Sequence, residues 1–504
     1  MVEIRLLLLE PPPQRVKDLK KHNSQSFIGK ALIEKLLRSV PKFGKMYVLI
    51  RNKKGKSSQE RFEEILNSTL FERARQEQPE SFKRIFAIDG DCNDLGLGIS
   101  QDNLKKLQNV NLIFHVAACV RFDDHFRNSV FLNTRGTHEM VKIAEGLTKL
   151  RAFIHVSTTY AHPDRRTVEE KIYPPYADWR TTIKLAETYD DETLDLLFPK
   201  YGESHPNTYT FTKSLAEQII REYRTKLPVA IFRPSIVISS IEEPVPGWVD
   251  NFNGPLGMMV ACGVGIMRTN NGNPDCIPDF IPVDFCVRTL LLTAYKVVTQ
   301  PATVDVAGDV EVFHCANSKM NAISTGELID LGKKVILENP LEKCIWLPHG
   351  DITRCDVWHY IRLFFVQILP AILLDCILRF TRYPPFLMKL QRRIHCTKNS
   401  LELFINTEWN FINTRLMALE DLVNDGEKKI FGFMHYIEFD KKVFLANGIK
   451  GAKQFLLKER PIASPQARLR LRIFMVLHYT LKYTLYYYIV RYIFRTLNAY
   501  FSAH

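Results

Sequence analysis

Between residue 26 and about residue 240, short, largely apolar runs alternate with segments whose apolar positions recur every three or four residues. Met46–Ile50, Ile85–Ile88, Leu112–Val116, Phe153–Val156 and Val229–Phe232 have the length and the β-branched or aromatic content of strands. Lys30–Arg38, Thr137–Leu147 and Ser214–Arg224 carry helical spacing between them. Continuous rather than alternating apolar strands, separated by helices, predict a doubly wound α/β fold. Its parallel sheet is covered on both faces and binds ligands at the carboxyl ends of its strands.

After about residue 345 the texture changes to a mainly helical region. Leu363–Leu374 is nearly all apolar, but Gln367 and Pro370 interrupt it, and twelve residues are too few to span a bilayer. A buried or interfacial helix suits it as well as a membrane segment. Helical patterns continue through Leu401–Leu422 and Gly448–Leu457. The segment Ile473–Val490 is rich in Tyr, Leu and Ile and is flanked by Arg468, Arg470, Arg472, Arg491 and Arg495. Aromatic rings and basic heads of this kind suit a membrane interface. Lys482 in mid-segment leaves open whether it spans or lies flat. The expected organisation is an atypical segment 1–25, a dinucleotide-binding reductase domain 26–345, a helical domain 346–460 and a basic, aromatic membrane anchor 461–504.

With 504 residues, 46% of them hydrophobic, the chain has material for a large core, which excludes a disordered tail or a disulfide-stapled miniprotein. The net charge of +13 is polarised: residues 1–60 carry +9 and residues 458–504 carry +7. No zinc-finger spacing, RNP signature or basic zipper accompanies it, so no nucleic-acid partner is expected. Ten cysteines are scattered without a CxxC, which excludes a clustered metal site and points to free thiols in a reducing compartment. The apolar run Leu6–Leu9 ends at Glu10 and three prolines, too short for a signal peptide, so the catalytic part is expected to face the cytosol.

Candidate chemistry lies in His205-Pro-Asn-Thr-Tyr-Thr-Phe-Thr-Lys213. Tyr209 and Lys213 stand four apart and share a helix face. An ammonium beside a phenol favours phenolate and is expected to lower the Tyr209 pKa. The strand Phe153–Val156 ends in Ser157 and Thr158, hydroxyls at a carboxyl strand end. One of them can hold a carbonyl whose oxygen Tyr209 protonates while a hydride attacks the carbon. Arg51 ends another strand with no acidic residue beside it, and with Lys53 and Lys54 it favours a 2′-phosphate, hence NADPH.

These motifs resemble the alcohol-forming fatty acyl-CoA reductases, extended members of the short-chain dehydrogenase/reductase superfamily. The resemblance is carried by Phe27-Ile-Gly-Lys-Ala-Leu-Ile-Glu-Lys-Leu-Leu37, Tyr47-Val-Leu-Ile-Arg51, His115-Val-Ala-Ala-Cys-Val-Arg-Phe-Asp123 and Leu132-Asn-Thr-Arg-Gly-Thr137. His155-Val-Ser-Thr158, the Tyr209/Lys213 segment, Phe232-Arg-Pro-Ser235 and Ile281-Pro-Val-Asp284 extend it, and Leu374-Asp375, Phe404–Trp409 and Gly448-Ile-Lys-Gly451 match the family's C-terminal helical domain. It implies a Rossmann-like fold and a two-step, NADPH-dependent reduction of long-chain acyl-CoA to a primary alcohol with release of CoA. It also implies Tyr209 as proton donor, Lys213 as its activator and ribose anchor, Thr158 ahead of Ser157 as the carbonyl-orienting hydroxyl, and Asn133 as a support for Lys213. Phe27, Ile28 and Gly29 would face the cofactor, as would Arg51 and Lys54. Asp91 resembles the adenine-contacting acid, and Ala117 and Ala118 the small residues that admit the cofactor. Expected partners are the acyl-CoA and membrane lipid, and a homodimer is allowed. The expected location is the cytosolic face of the endoplasmic reticulum, with the peroxisome second. A sterol-type dehydrogenase of the same superfamily is the alternative oxidoreductase reading.

The family opens with a strand and a Thr-Gly-x-x-Gly-x-x-Gly turn. Aligned back from Gly29, that turn falls on His22, Asn23 and Ser26, and only the last glycine survives. The preceding Val16–Lys21 is too charged for a buried strand, so the first strand and turn read as degraded. Two explanations stand: a replaced first segment, or a catalytically impaired paralogue acting as an acyl-CoA-binding membrane scaffold. Arg288 also stands where Asn is more usual, and Phe433–Asp440 lacks an expected Trp.

Overall fold

A computed structural model describes residues 5–9, 26–53, 55–202, 205–252, 254–300, 308–317 and 320–503. Seven parallel strands form the main sheet: β1 (Arg5–Leu9), β2 (Lys45–Ile50), β3 (Ile85–Asp89), β4 (Leu112–His115), β5 (Ala152–Val156), β6 (Val229–Pro234) and β7 (Glu311–Cys315). Their order is β7-β6-β5-β4-β1-β2-β3, the doubly wound arrangement that the alternating pattern predicts. Strands β2, β4 and β5 are buried or nearly so along their length, which accounts for their continuous apolar sequence.

The first strand corrects the sequence reading. It is not degraded and does not lie at Val16–Lys21. Arg5–Leu9, the run dismissed as too short for a signal peptide, pairs with β2 on one side and β4 on the other. Five residues make an ordinary strand. The positions His22 and Asn23, where the glycine-rich turn was sought, lie outside the described residues.

Helix α1 (Phe27–Ser39) starts at Ser26, whose hydroxyl accepts from Gly29 N–H at 3.1 Å. Helix α2 (Gly136–Glu145) passes close to the loop after β3, since a Cβ on Gly136 would lie 2.8 Å from the Cys92 carbonyl. Helix α3 (Thr208–Glu222) begins six residues before the apolar periodicity becomes visible, capped by Asn207. Helix α4 (Val283–Thr299) brings Arg288 to Glu243 at 3.0 Å, and Glu243 also meets Lys35 at 2.6 Å. Arg288 further donates to the Gly432 carbonyl at 2.7 Å and lies over Tyr436, while Phe433 packs edge-on against Phe285. These contacts explain the Arg at 288.

Two compact units emerge, each discontinuous in sequence. The first comprises Met1–Asn251, Cys276–Ile323 and Asn399–Phe444 and holds the sheet; the second comprises Phe252–Asp275, Ser324–Lys398 and Leu445–His504. The expected helix over Leu401–Leu422 is broken: helix α6 (Leu387–Ile405) ends there, and Asn410–Phe411 pairs with Thr167–Val168. In the second unit, helix α5 runs unbroken over Asp356–Phe380, 25 residues, so the twelve-residue limit read from the sequence falls. A π turn over Phe364–Ile368, closed by Leu369 N–H on the Phe364 carbonyl, accommodates Pro370 without ending the helix. Helix α7 (Pro465–Ala503) contains the whole of Ile473–Val490.

Candidate active site

The carboxyl end of β5 and the first turns of α3 build the centre of the site. Thr158 is buried just past β5, beside the Tyr209 phenol, whose pKa it lowers. Tyr209 sits half-buried in the first turn of α3, and the Phe122 ring lies 5.6 Å from its own. Burial raises the Tyr209 pKa above that of a free phenol, and Thr158 only partly opposes it. The expected lowering by Lys213 is therefore overturned: desolvation is the largest influence, and the lowering that opposes it comes from Thr158. At neutral pH the phenol keeps the proton that a donor needs.

Lys213, one turn along α3, is buried and donates to the Val156 carbonyl at 2.7 Å. Burial pushes its pKa down to about 7, against the pull of the Glu217 carboxylate. Asn133, expected to support Lys213 directly or through water, makes its direct bonds elsewhere. Its carbonyl oxygen accepts from Cys119 N–H at 2.8 Å, and its amide donates to the Cys119 carbonyl at 3.3 Å and the Thr212 hydroxyl at 2.9 Å. Both amide hydrogens are thereby used, and Asn133 instead ties the end of β4 to α3.

Ser157 points away from Thr158's partner and donates to Glu217 at 2.6 Å. Glu217 is fully buried and receives the Arg233 guanidinium at 2.8 and 2.6 Å, with His162 3.2 Å from its other oxygen. Burial raises the Glu217 carboxyl, but Arg233 and His162 more than reverse this and hold it well below the usual carboxylate range. Sequence reading missed Glu217 and Arg233 as site supports. The signal was present: Glu217 follows Lys213 by four residues, on the same face of α3. Cys119 was also missed. Its thiol donates to Asp124 at 2.9 Å, and burial with that neighbouring carboxylate raises its pKa, so it is not poised as a nucleophile.

The cofactor candidates line up along neighbouring strand ends. Arg51, after β2, pairs with Asp91, after β3, at 3.3 Å. Lys53 bridges to Lys56 in a tight turn, with Gly55 at φ +75°; Lys54 lies outside the described residues. Ala117 and Ala118 follow β4 and are buried. At the start of α1, Gly29 is buried, Ile28 is partly exposed, and Phe27 stacks on Trp248 with ring centroids 4.9 Å apart.

The chain matches a family model described as male sterility protein, of NAD-binding type, over residues 26–290, and a second of the same description over residues 366–459. It is 36% identical to the fatty acyl-CoA reductase wat of Drosophila melanogaster over 459 residues, covering 90% of this chain and 86% of that protein. It is 35% identical to fatty acyl-CoA reductase 1 of Mus musculus over 469 residues, covering 92% and 89%. The chain belongs to the fatty acyl-CoA reductase family. The fold of this fatty acyl-CoA reductase is shared with the terminal R domain of the myxalamid PKS-NRPS pathway (TM-score 0.58, 16% identity, 91% of this chain and 92% of that one). It is shared also with the reductase domain of a nonribosomal peptide synthetase from Mycobacterium tuberculosis (TM-score 0.56, 19% identity, 90% and 92%). The residues present fit a nicotinamide dinucleotide: small side chains after β4, a cation and a carboxylate at the ends of β2 and β3, and a buried ammonium one turn from a half-buried phenol. Among the described residues, no cluster of His, Cys, Asp or Glu could hold a metal ion.

Proposed function

We propose that this protein reduces long-chain fatty acyl-CoA to a primary alcohol, by way of the aldehyde, with NADPH and with release of CoA. The observation that carries this reading is the meeting of Thr158 and Tyr209 at the carboxyl end of β5, with buried Lys213 one turn away and bonded to the Val156 carbonyl at 2.7 Å. NADPH, when bound, supplies the hydride in each of two rounds. Thr158 and Tyr209 orient the thioester carbonyl through its oxygen, where negative charge develops, and Tyr209 delivers its proton to that oxygen. Loss of the CoA thiol from the tetrahedral adduct restores a carbonyl, and the same two hydroxyls act on the aldehyde in the second round. Lys213 stabilises the phenolate left behind and would hold the nicotinamide ribose. Arg51 supports NADPH over NADH, because a guanidinium at the end of β2 suits a 2′-phosphate.

Membrane attachment through residues 461–504, on the cytosolic face of the endoplasmic reticulum, is part of this proposal. It draws on the exposed Tyr, Leu and Ile side chains of α7 and its basic flanks. The test supplies the full chain with palmitoyl- or stearoyl-CoA and NADPH. Fatty alcohol is expected, with two NADPH consumed per alcohol formed. Tyr209→Phe should lose product while still binding NADPH. Wild-type protein that binds NADPH yet forms neither aldehyde nor alcohol overturns the proposal.

A further inference from the structure

Helix α5 is inverted in polarity. Its buried polar side chains face the second unit, and its large apolar ones are mostly exposed. His359, Gln367 and Asp375 mark its inward side by their bonds to neighbouring segments. Each is satisfied within the unit. His359 meets Thr269 at 3.2 Å and Lys398 at 3.4 Å. Gln367 accepts from Arg268 N–H at 3.1 Å and donates to Gln391 at 2.7 Å. Asp375 accepts the N–H groups of Phe386, Leu387 and Met388 at 2.9–3.0 Å, closing the turn into α6.

The opposite face exposes Trp358, Ile361, Phe365, Leu373, Ile377 and Phe380, the last 88% exposed. The most apolar 18-residue window has a mean hydropathy of 2.1 and only 11% of it is buried. Water is a poor solvent for such a continuous apolar face, and nothing polar on it asks for a hydrogen-bonding partner. From Asp356 to Lys398 there are seven Lys or Arg residues against two Asp. Of these, Arg379, Arg382, Lys389, Arg392 and Arg393 are exposed around the turn into α6. Tyr383 and Phe386 are exposed beside them, the aromatic and basic mixture that sits among lipid headgroups.

We propose that the outward face of α5 lies in the hydrocarbon of an anionic lipid bilayer, as a membrane contact separate from α7. The surrounding cations meet lipid phosphates, and the inward polar stripe keeps the other side of α5 on the protein. The inference is independent of the reaction assigned to the first unit.

Three native thiols give the test. Cys376 is exposed on α5, Cys355 precedes the helix and Cys396 lies on α6, both also exposed. The full-length protein is placed in phosphatidylcholine/phosphatidylserine vesicles, and its thiols are challenged with a membrane-impermeant maleimide. Cys376 should react at least tenfold more slowly than Cys355 and Cys396. In a Cys355→Ser/Cys396→Ser background, an environment-sensitive fluorophore on Cys376 should be quenched by brominated lipid. Removing phosphatidylserine should weaken that quenching. A Cys376 that labels as fast as the other two overturns the proposal. A protected Cys376 that brominated lipid does not quench overturns it as well, because protein, a second copy included, then covers the face.

Discussion

Replacing Glu217 with Gln removes the only carboxylate bonded to the Arg233 guanidinium among the described hydrogen bonds and keeps the side-chain volume. Both side chains are wholly buried, so Arg233 is left with its charge out of water. Breaking a buried pair from one side costs about 3–5 kcal/mol, mostly the desolvation of the remaining ion. For a unit of this size that corresponds to a fall in melting temperature on the order of 5–10 °C. The assay is thermal unfolding of Glu217→Gln beside a Glu217→Leu/Arg233→Met double variant. Removing both charges should recover at least half of the loss, since a well-packed apolar pair is often as stable as a buried ion pair. Acid sensitivity supplies a second reading. The folded Glu217 carboxyl is held below its unfolded value, so its contribution is complete above about pH 4.3 and disappears as pH falls below that. Glu217→Gln should therefore lose less stability than wild type on acidification. A single variant that melts within 1 °C of wild type, or a double variant no better than the single, refutes the reasoning.

Three further outcomes follow from the site. In the free enzyme kcat/KM should fall as pH rises through about 7, where buried Lys213 gives up its proton, and Lys213→Arg should move that limb upward. Thr158→Ala removes a hydroxyl aimed at the reacting oxygen and should lower kcat by roughly 10²–10³, whereas Ser157→Ala should cost about 1 kcal/mol of stability and far less rate. Arg51→Ala should raise KM for NADPH by roughly 10–100-fold with little change for NADH, the value of a lost charge-assisted hydrogen bond to phosphate.

Legibility in the sequence followed how local each determinant is. Strands β2, β4, β5 and β6 were readable because burial on both faces requires a largely apolar run, and edge strand β3 because its short run is still mostly apolar. Strand β1 has the same character but is separated from Gly29 by three prolines and a charged stretch, so it does not read as the strand that precedes α1. Its assignment rests on pairing with β2 and β4, contacts at distant sequence positions. Helix α5 was hidden by Gln367 and Pro370, residues that interrupt an apolar pattern on paper. In three dimensions one faces inward to Gln391, and a π turn accommodates the other. Tyr209, Lys213 and Thr158 were legible as a spacing and a strand end. The direction of the Tyr209 shift was not, because desolvation depends on everything packed around it. The direct bonds of Asn133 to Cys119 and Thr212 were not legible either, since they depend on how the segment after β4 meets α3.

The place of β1 has a consequence for shortened forms of the chain. Because Arg5–Leu9 stands between β2 and β4, it joins the pair β2-β3 to the group β4-β5-β6-β7. A product begun at Met46, the next methionine in the chain, would lack both β1 and α1. It would divide the sheet into two ribbons, each with a raw apolar edge open to another chain. Arg51 and Asp91 would be on one ribbon, and Thr158 would follow a strand of the other. Such a product would separate Arg51, proposed to meet the cofactor's phosphate, from Thr158, proposed to act with Tyr209. Five residues, Arg5–Leu9, are the seam across which the sheet is assembled.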